Sequence, residues 1–140
     1  FPAVAGRIVA IKPNLMMPGA AASGATTDPE VTPAVVDRAL TGGAIRVFVT
    51  ETAPPGAHFA ATGHDHFATY DPRVRLIDVK DLPVVLAAVP GGGAYKAIFV
   101  PDLYVRNDIV FMSVGKLKRH DHAVVTLSVK NLFGVPAGNR

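Results

Sequence analysis

The fold of this chain is indicated most clearly by residues 27–51, which read TDPEVTPAVVDRALTGGAIRVFVTE. The stretch begins with features of a helix start, namely a capping side chain, Pro29 in the first turn and an early carboxylate. Apolar residues then follow at helical spacing: Val31, Val35 and Ala39. We therefore predict a helix from about Pro29 to Leu40.

A strand is predicted on each side of this helix. Downstream, the β-branched and aromatic run Ile45 to Val49 follows Gly42-Gly43 and ends at Thr50-Glu51. Upstream, Arg7 to Ile11 alternates and is rich in Ile and Val, and Lys12-Pro13 ends it because proline cannot donate to a strand ladder. A strand, a helix and a second strand form a βαβ unit, which is typical of an α/β fold.

The rest of the chain extends this pattern. Met16 to Thr26 lacks periodicity and is a candidate lid loop, and His58 to Tyr70 is compatible with a poor helix. Pro83 to Val89 is predicted as a short helix. Further strands are predicted at residues 74–79, 97–100, 109–114 and 123–129. We expect residues 1–140 to form a single α/β domain, a fragment of a longer chain, with a mostly parallel or mixed sheet flanked by helices.

Composition excludes several classes of protein. The 140 residues are 49% hydrophobic, which is enough for one real core, yet no run of about 18 apolar residues exists to span a membrane, so a soluble domain is expected. The absence of cysteine excludes disulfides and an iron–sulfur cluster held by this chain alone. With 11 acidic residues among 14 basic ones, specific nucleic-acid binding is not expected. Nothing indicates a compartment.

Polar side chains follow the predicted strands directly. Lys12 and Asn14 come at the end of the first strand, and Glu51 ends the second. Ligands of open α/β sheets collect at the carboxyl ends of strands, where a lysine, an amide and a carboxylate could bind an anion and handle a proton. The alternative is a solvated lysine, a turn asparagine and a surface glutamate.

Cations and hydroxyls are concentrated in the C-terminal third. An extended backbone would place Lys116, Lys118 and His120 on one face. In the last predicted strand the face with Thr126, Ser128 and Lys130 would line a polar space, and the opposite face should be buried: Val125, Leu127 and Val129. Asn131 and Gly134 follow. We expect Lys12, Glu51, Lys116 and Lys130 to meet around one cleft; the alternative is a solvated edge that resists aggregation.

The tripeptide His-Asp-His occurs twice, at residues 64–66 and 120–122. Two histidines two apart on a strand can reach one metal ion, so four imidazoles suggest zinc or copper. However, the two copies are distant in sequence, and the cations Lys118 and Arg119 oppose a divalent ion. We therefore favour exposed loop histidines, with His120 as a hydrogen-bond donor to an anion.

Several motifs occur in an order that resembles a known family. The N-terminal ones are Lys12-Pro13-Asn14-Leu15, Thr27-Asp28-Pro29-Glu30, and Gly43-Ala44 before a strand ending in Glu51. The C-terminal ones are Asn107-Asp108-Ile109-Val110, Lys116-Leu117-Lys118 with His120, and the run TLSVKNLFG at residues 126–134. Together, and over nearly the whole chain, they resemble the family called domain of unknown function 362.

The resemblance implies a set of site residues and a setting. The family pattern falls on Lys12, Asn14, Thr27, Asp28, Glu51, Lys116, Lys118, His120, Thr126, Lys130, Asn131 and Gly134. Some relatives carry an adjoining ferredoxin-like iron–sulfur domain, which implies a redox-linked setting with a ferredoxin-like domain or protein as partner. Since this chain has no cysteine, we expect no cofactor in it and an iron–sulfur cluster only in a missing or partner domain.

Three functions are compatible with these features. The favoured one is a domain, or an enzyme, that binds a small phosphate- or carboxylate-bearing ligand, with Glu51 or His120 as proton carrier. The second is a non-catalytic interaction or assembly module whose basic strand face docks an acidic partner. The third is a histidine metal-binding domain. Whether the chain catalyses a reaction is not indicated by its sequence.

Overall fold

The computed structural model describes residues 1–15, 21–51, 58–122 and 124–136. Strands in these segments are β1 (Ile8–Pro13), β2 (Arg46–Glu51), β3 (Val74–Asp78), β4 (Val84–Ala88), β5 (Ala97–Pro101), β6 (Ile109–Val114), β7 (Lys118–His120) and β8 (Val124–Thr126). The α-helices are α1 (Val31–Thr41), α2 (His58–Ala61) and α3 (Ser128–Asn131). Single 3-10 turns lie at Ala21–Ser23, Asp65–Ala68, Val79–Asp81, Asp102–Tyr104 and Leu132–Gly134.

Four strands form a parallel sheet in the order β3-β2-β1-β6. The predicted βαβ unit is β1-α1-β2, and the α/β fold class is confirmed. In the ladder Lys12 pairs with Ser113, and Glu51 pairs with Asp78. Because the four strands are parallel, their carboxyl ends meet at one edge of the sheet, where a ligand site of an α/β fold is expected.

The sheet is covered on both faces. Apolar side chains of β1 and β2 pack under α1 and against Phe67, and α1 contributes Val36 and Ala39 to this core. On the other face, Ala10 and Ile109 pack with Leu103 from the turn after β5. The near-continuous runs of Val and Ile in the sequence favour parallel strands that are buried on both faces. The strands that carry the site residues are therefore packed into a core on each face of the sheet.

Helix α1 begins slightly later than predicted. Pro29 precedes the first turn, and the Asp28 side chain accepts a hydrogen bond from the backbone N–H of Glu30 at 2.9 Å. The backbone N–H groups of Val31 and Thr32 bond to the carbonyl of Asp28. Asp28 thus closes the turn that leads into the helix, and the helix still covers the predicted segment.

The prediction of a helix at Pro83 to Val89 is wrong. Val84–Ala88 is strand β4, which pairs antiparallel with β5, so that Leu86 lies opposite Phe99. A short apolar run is compatible with either structure, and here cross-strand pairing with β5 supplies the backbone hydrogen bonds.

The prediction for the last strand is wrong in extent and in orientation. Strand β8 ends at Thr126, and Ser128–Asn131 is a helical turn. Val125, Leu127 and Val129, predicted to be buried, are 53%, 47% and 85% exposed, whereas Thr126 is 2% exposed. The physical reason is that β7 and β8 form a separate two-stranded ribbon, in which Thr126 pairs with the half-buried Lys118 and the neighbouring side chains point to solvent.

The segment predicted as a poor helix contains two short helical pieces, α2 and the turn Asp65–Ala68, separated by Gly63 with φ +74°. The candidate lid loop falls partly on residues 16–20, which lie outside the described residues. Across the described ranges, no helix combines the length and apolarity needed to cross a membrane.

Candidate functional site

A buried ion pair lies at the carboxyl ends of β1 and β2. The Lys12 ammonium donates to Glu51 Oε1 at 2.6 Å, and the two side chains are only 2% and 4% exposed. The other carboxylate oxygen, Oε2, accepts from the backbone N–H of Leu15 at 3.0 Å. Two opposite charges withdrawn from water need such mutual pairing and further hydrogen bonds, so the pair fixes both side chains. The sequence analysis placed both residues in one site, and they are in contact.

Asn131 from α3 completes this arrangement. Its Oδ1 accepts from Lys12 Nζ at 3.2 Å, while its Nδ2 donates to the Lys12 carbonyl at 2.9 Å and to Ser113 Oγ at 3.1 Å. The backbone of Gly134 lies close to the Lys12 ammonium, because a Cβ atom at this position would be 3.4 Å from Lys12 Nζ. We call Lys12, Glu51, Ser113 and Asn131 the buried polar cluster.

Sequence reasoning missed Ser113. Its hydroxyl accepts from Asn131 and donates to the carbonyl of Ser128 at 3.1 Å, so it connects β6 to α3. The only available signal was the position of a hydroxyl residue near the end of an apolar strand. Its pairing with Lys12 in the parallel ladder required the strand order, which the sequence analysis did not specify.

Thr27 connects the ends of two strands. Its hydroxyl donates to the carbonyl of Val114 at 2.7 Å and accepts from the backbone N–H of Asn14 at 2.8 Å. Its own N–H donates to the Asn14 carbonyl at 2.9 Å. Thr27 is 3% exposed. It lies beside the strand ends, and its hydrogen bonds hold the ends of β1 and β6 together.

Asn14 has an unusual side chain. It is 6% exposed, and its Oδ1 has no hydrogen-bond partner in the part of the chain that the structure describes. A buried acceptor left without a donor costs roughly 1–3 kcal/mol. Such an atom, beside the carboxyl end of β1, is a candidate acceptor for a donor group of a ligand.

Three lysines form a second feature, which we call the lysine cluster: Lys116, Lys118 and Lys130. Burial, together with the positive charges of Lys130 and Lys116, lowers the pKa of Lys118. The Lys118 ammonium donates to the carbonyl of Ala25, so it is held against the loop before α1. No carboxylate within the described segments forms an ion pair with any of the three. The cluster is therefore a concentration of positive charge that no carboxylate of the described segments pairs with.

The buried polar cluster and the lysine cluster are joined through α3. Lys130 is adjacent in sequence to Asn131, which contacts Lys12. On the other side, Lys118 pairs with Thr126 in the ribbon, two residues before the start of α3. That Lys12, Glu51, Lys116 and Lys130 all line one cleft stays a prediction. Asp28, also predicted for the site, lies in the turn that leads into α1, directly after Thr27, and its contact with a ligand stays a prediction.

The histidines lie in two different environments. His64 is fully buried: its Nδ1 lies 3.0 Å from the Thr62 carbonyl and therefore donates, so its Nε2 accepts from Thr32 Oγ1 at 3.0 Å. Burial lowers the pKa of His64, with the charge of His66 adding to the effect. His66 is exposed. The expectation of exposed loop histidines is therefore wrong for His64, because Thr32 and Thr62 satisfy both of its ring nitrogens.

The second His-Asp-His copy lies on the ribbon. His120 Nδ1 accepts from the backbone N–H of His122 at 3.2 Å, which leaves the ring proton of a neutral His120 on Nε2. His120 lines a surface recess of about 550 Å³ with Arg119, Asp121 and Val124. Among the residues that the structure describes, no three His, Asp or Glu side chains are grouped to hold a metal ion.

An open groove lies beside Lys130. It has a volume of about 410 Å³, and its lining residues are Val125, Leu127, Val129, Lys130 and Phe133. The Lys130 ammonium lies 4.6 Å from the centre of the Phe133 ring, within the range of a cation–π contact. Lys130 thus supplies the cationic part of the lining, and the other four lining side chains are apolar.

Comparison with known proteins leaves the chemistry of this site open. No curated protein matches the chain, and no solved structure matches it. The family model described as "Domain of unknown function (DUF362)" matches residues 9–140, which include the buried polar cluster and the lysine cluster. The chain therefore belongs to the domain of unknown function 362 family.

Proposed function

We propose that the chain binds a small anionic ligand, bearing a phosphate or a carboxylate, at the lysine cluster. The observation that carries this proposal is the grouping of Lys116, Lys118 and Lys130 with no carboxylate counterion among the described residues. Three like charges repel one another, and the effect is stronger where one ammonium is partly withdrawn from water. An anion placed between them would relieve this repulsion and accept charge-assisted hydrogen bonds.

Lys12 has a different part in this proposal. Its charge is already paired with that of Glu51, and its side chain is 2% exposed. We therefore assign Lys12, with Asn131, the task of holding the strand ends and α3 in place, and we assign contact with the ligand to the lysine cluster. Asn14 Oδ1 would add an acceptor for a ligand hydroxyl, which hydrogen phosphate carries.

Catalysis would require a proton carrier near the ligand. Glu51 is held by an ammonium and a backbone N–H, and His120 lies on β7, the strand that also carries Lys118. These two residues are the candidates for proton transfer if the bound anion reacts. A redox-linked reaction would need an iron–sulfur domain or protein as partner, because this chain has no cysteine to ligate a cluster.

A second candidate function is a non-catalytic interaction module. The groove beside Lys130 is open, and Val129 and Phe133 in its lining are 85% and 74% exposed. An open apolar surface beside cations also suits an acidic partner. The two candidates differ in the size of the anion that binds.

Isothermal titration calorimetry with inorganic phosphate tests the proposal. Lys118→Gln should weaken phosphate binding about tenfold or more, since a charge-assisted hydrogen bond is worth roughly 1.5–3 kcal/mol. Lys96→Gln makes the same charge change at an exposed lysine directly before β5 and should leave phosphate binding unchanged. No phosphate binding at millimolar concentration, together with Lys118-dependent binding of a hexaglutamate peptide, would favour the interaction module.

A further inference from the structure

The groove beside Lys130 has the dimensions of a small-molecule site. Its volume of about 410 Å³ lies within the range of about 300–1,000 Å³ that ligand clefts occupy. Its lining combines one cation, Lys130, with apolar side chains that include Val129 and Phe133. Such a lining suits a small ligand that has both a charged and an apolar part.

The groove is continuous with the lysine cluster. Lys130 belongs to both: its ammonium acts on Lys118, and it also lies 4.6 Å from the Phe133 ring centre in the groove. A molecule whose anionic group is bound by the lysines would have its remaining atoms directed along apolar side chains. The exposed fractions of Val129 and Phe133 mean that this apolar surface is in contact with water when the groove is empty.

We propose that the ligand of the lysine cluster is an amphipathic small anion, in which an aryl or alkyl group attached to the phosphate or carboxylate occupies this groove. The proposal rests on the proposed anion-binding function and names the chemical class of its ligand. Charge complementarity with Lys130 fixes the orientation, since the apolar group lies against Phe133 and Val129 and the anionic group faces the lysines. Water displaced from this apolar lining supplies the added affinity.

The test compares two phosphate monoesters of equal charge type, methyl phosphate and phenyl phosphate, by calorimetry at constant pH. Phenyl phosphate should bind about tenfold more tightly, as expected for burial of one aromatic group in an open groove. Phe133→Ser should reduce this ratio toward one without weakening methyl phosphate binding. Val129→Ser should reduce it in part, which separates apolar contact from the cation–π contact at Phe133.

A matched control is Tyr95→Ser, which removes another exposed aromatic residue, 70% exposed, outside the groove. It should leave the ratio unchanged. Equal binding of the two esters to the wild type would overturn the inference while the proposed anion binding stands; binding of neither ester would overturn both.

Two further outcomes also count against the inference. One is Phe133-dependent binding to phosphatidylglycerol vesicles without a preference for phenyl phosphate, which would assign the groove to a lipid surface. The other is dimerisation that Phe133→Ser abolishes, again without that preference, which would assign it to a second copy of the chain. Sedimentation with vesicles and sedimentation velocity without them measure the two outcomes.

Discussion

Replacement of Lys12 by methionine should destabilise the fold strongly. The methionine side chain is similar in length, so it fills the space without leaving a large cavity. It removes the Lys12 ammonium, which forms an ion pair with the Glu51 carboxylate at 2.6 Å. Glu51, with 4% of its side chain exposed, then loses the ammonium that balances its charge and gains little hydration in exchange, although the Leu15 N–H still donates to Oε2.

The magnitude follows from the burial of this charge. Breaking a buried ion pair by removal of one partner costs about 3–5 kcal/mol, because the other charge remains uncompensated. Asn131 Oδ1 also loses its donor, Lys12 Nζ at 3.2 Å, which adds to the penalty. The double variant Lys12→Met/Glu51→Gln removes both charges, and the glutamine can still accept from Leu15 N–H. We therefore expect it to lose less than the sum of the two single variants by at least about 2 kcal/mol.

Urea unfolding at 25 °C, followed by circular dichroism, measures all four proteins of this double-mutant cycle. The variants must unfold with similar dependence on urea concentration for their free energies to be compared. A coupling energy below about 0.5 kcal/mol would refute the reasoning, since residues in direct contact should couple by more than that. It would mean that Lys12 and Glu51 do not stabilise each other.

Three further predictions concern single residues outside this pair. Because the pKa of buried His64 is lowered, its contribution to stability is present above pH 6.5 and is lost as the pH falls toward its folded-state pKa. Urea unfolding between pH 4 and 8 should show this loss in His122→Gln, a control at an exposed histidine, and a smaller loss in His64→Gln. Gly115→Ala would place a Cβ 2.7 Å from the backbone nitrogen at the start of α3, so it should cost about 1–3 kcal/mol in urea unfolding, whereas Gly93→Ala, with open space around it, should cost much less. Asn14→Leu should raise stability by about 1 kcal/mol in urea unfolding, because it removes a buried acceptor that has no partner among the described residues. The same variant should weaken phosphate binding in calorimetry, and unchanged phosphate binding would contradict a role of Asn14 in the ligand site.

The sequence was sufficient for the features that depend on local pattern. The βαβ unit was predictable because α1 has helical apolar spacing and its flanking strands are β-branched runs. The rule that sites lie at strand ends then placed Lys12 and Glu51 in one site, and the two residues are in contact. Asn131 was included through the family resemblance, and its contact with Lys12 is observed.

The errors arose where tertiary contacts decide between local alternatives. Strand β4 has a short apolar sequence that fits a helix or a strand, and its pairing with β5 decides the outcome. The alternation along β8 correctly predicted that Thr126 and Val125 lie on opposite faces. Which of the two faces is buried depends on where the ribbon packs, and the sequence pattern does not contain that information. Ser113 joined the buried polar cluster through a strand pairing that no local pattern contains.

The most direct measurement of the central claim is the titration of the Lys118 side chain by carbon-13 NMR, with and without phosphate. Without phosphate, the Lys118 Cε resonance should titrate below the ordinary lysine pKa of 10.5, because burial and the charges of Lys130 and Lys116 disfavour the ammonium form. With saturating phosphate its pKa should rise, since a bound anion favours the ammonium form, and the resonance of Lys96 should not change. An identical Lys118 titration in both conditions would contradict anion binding at the lysine cluster.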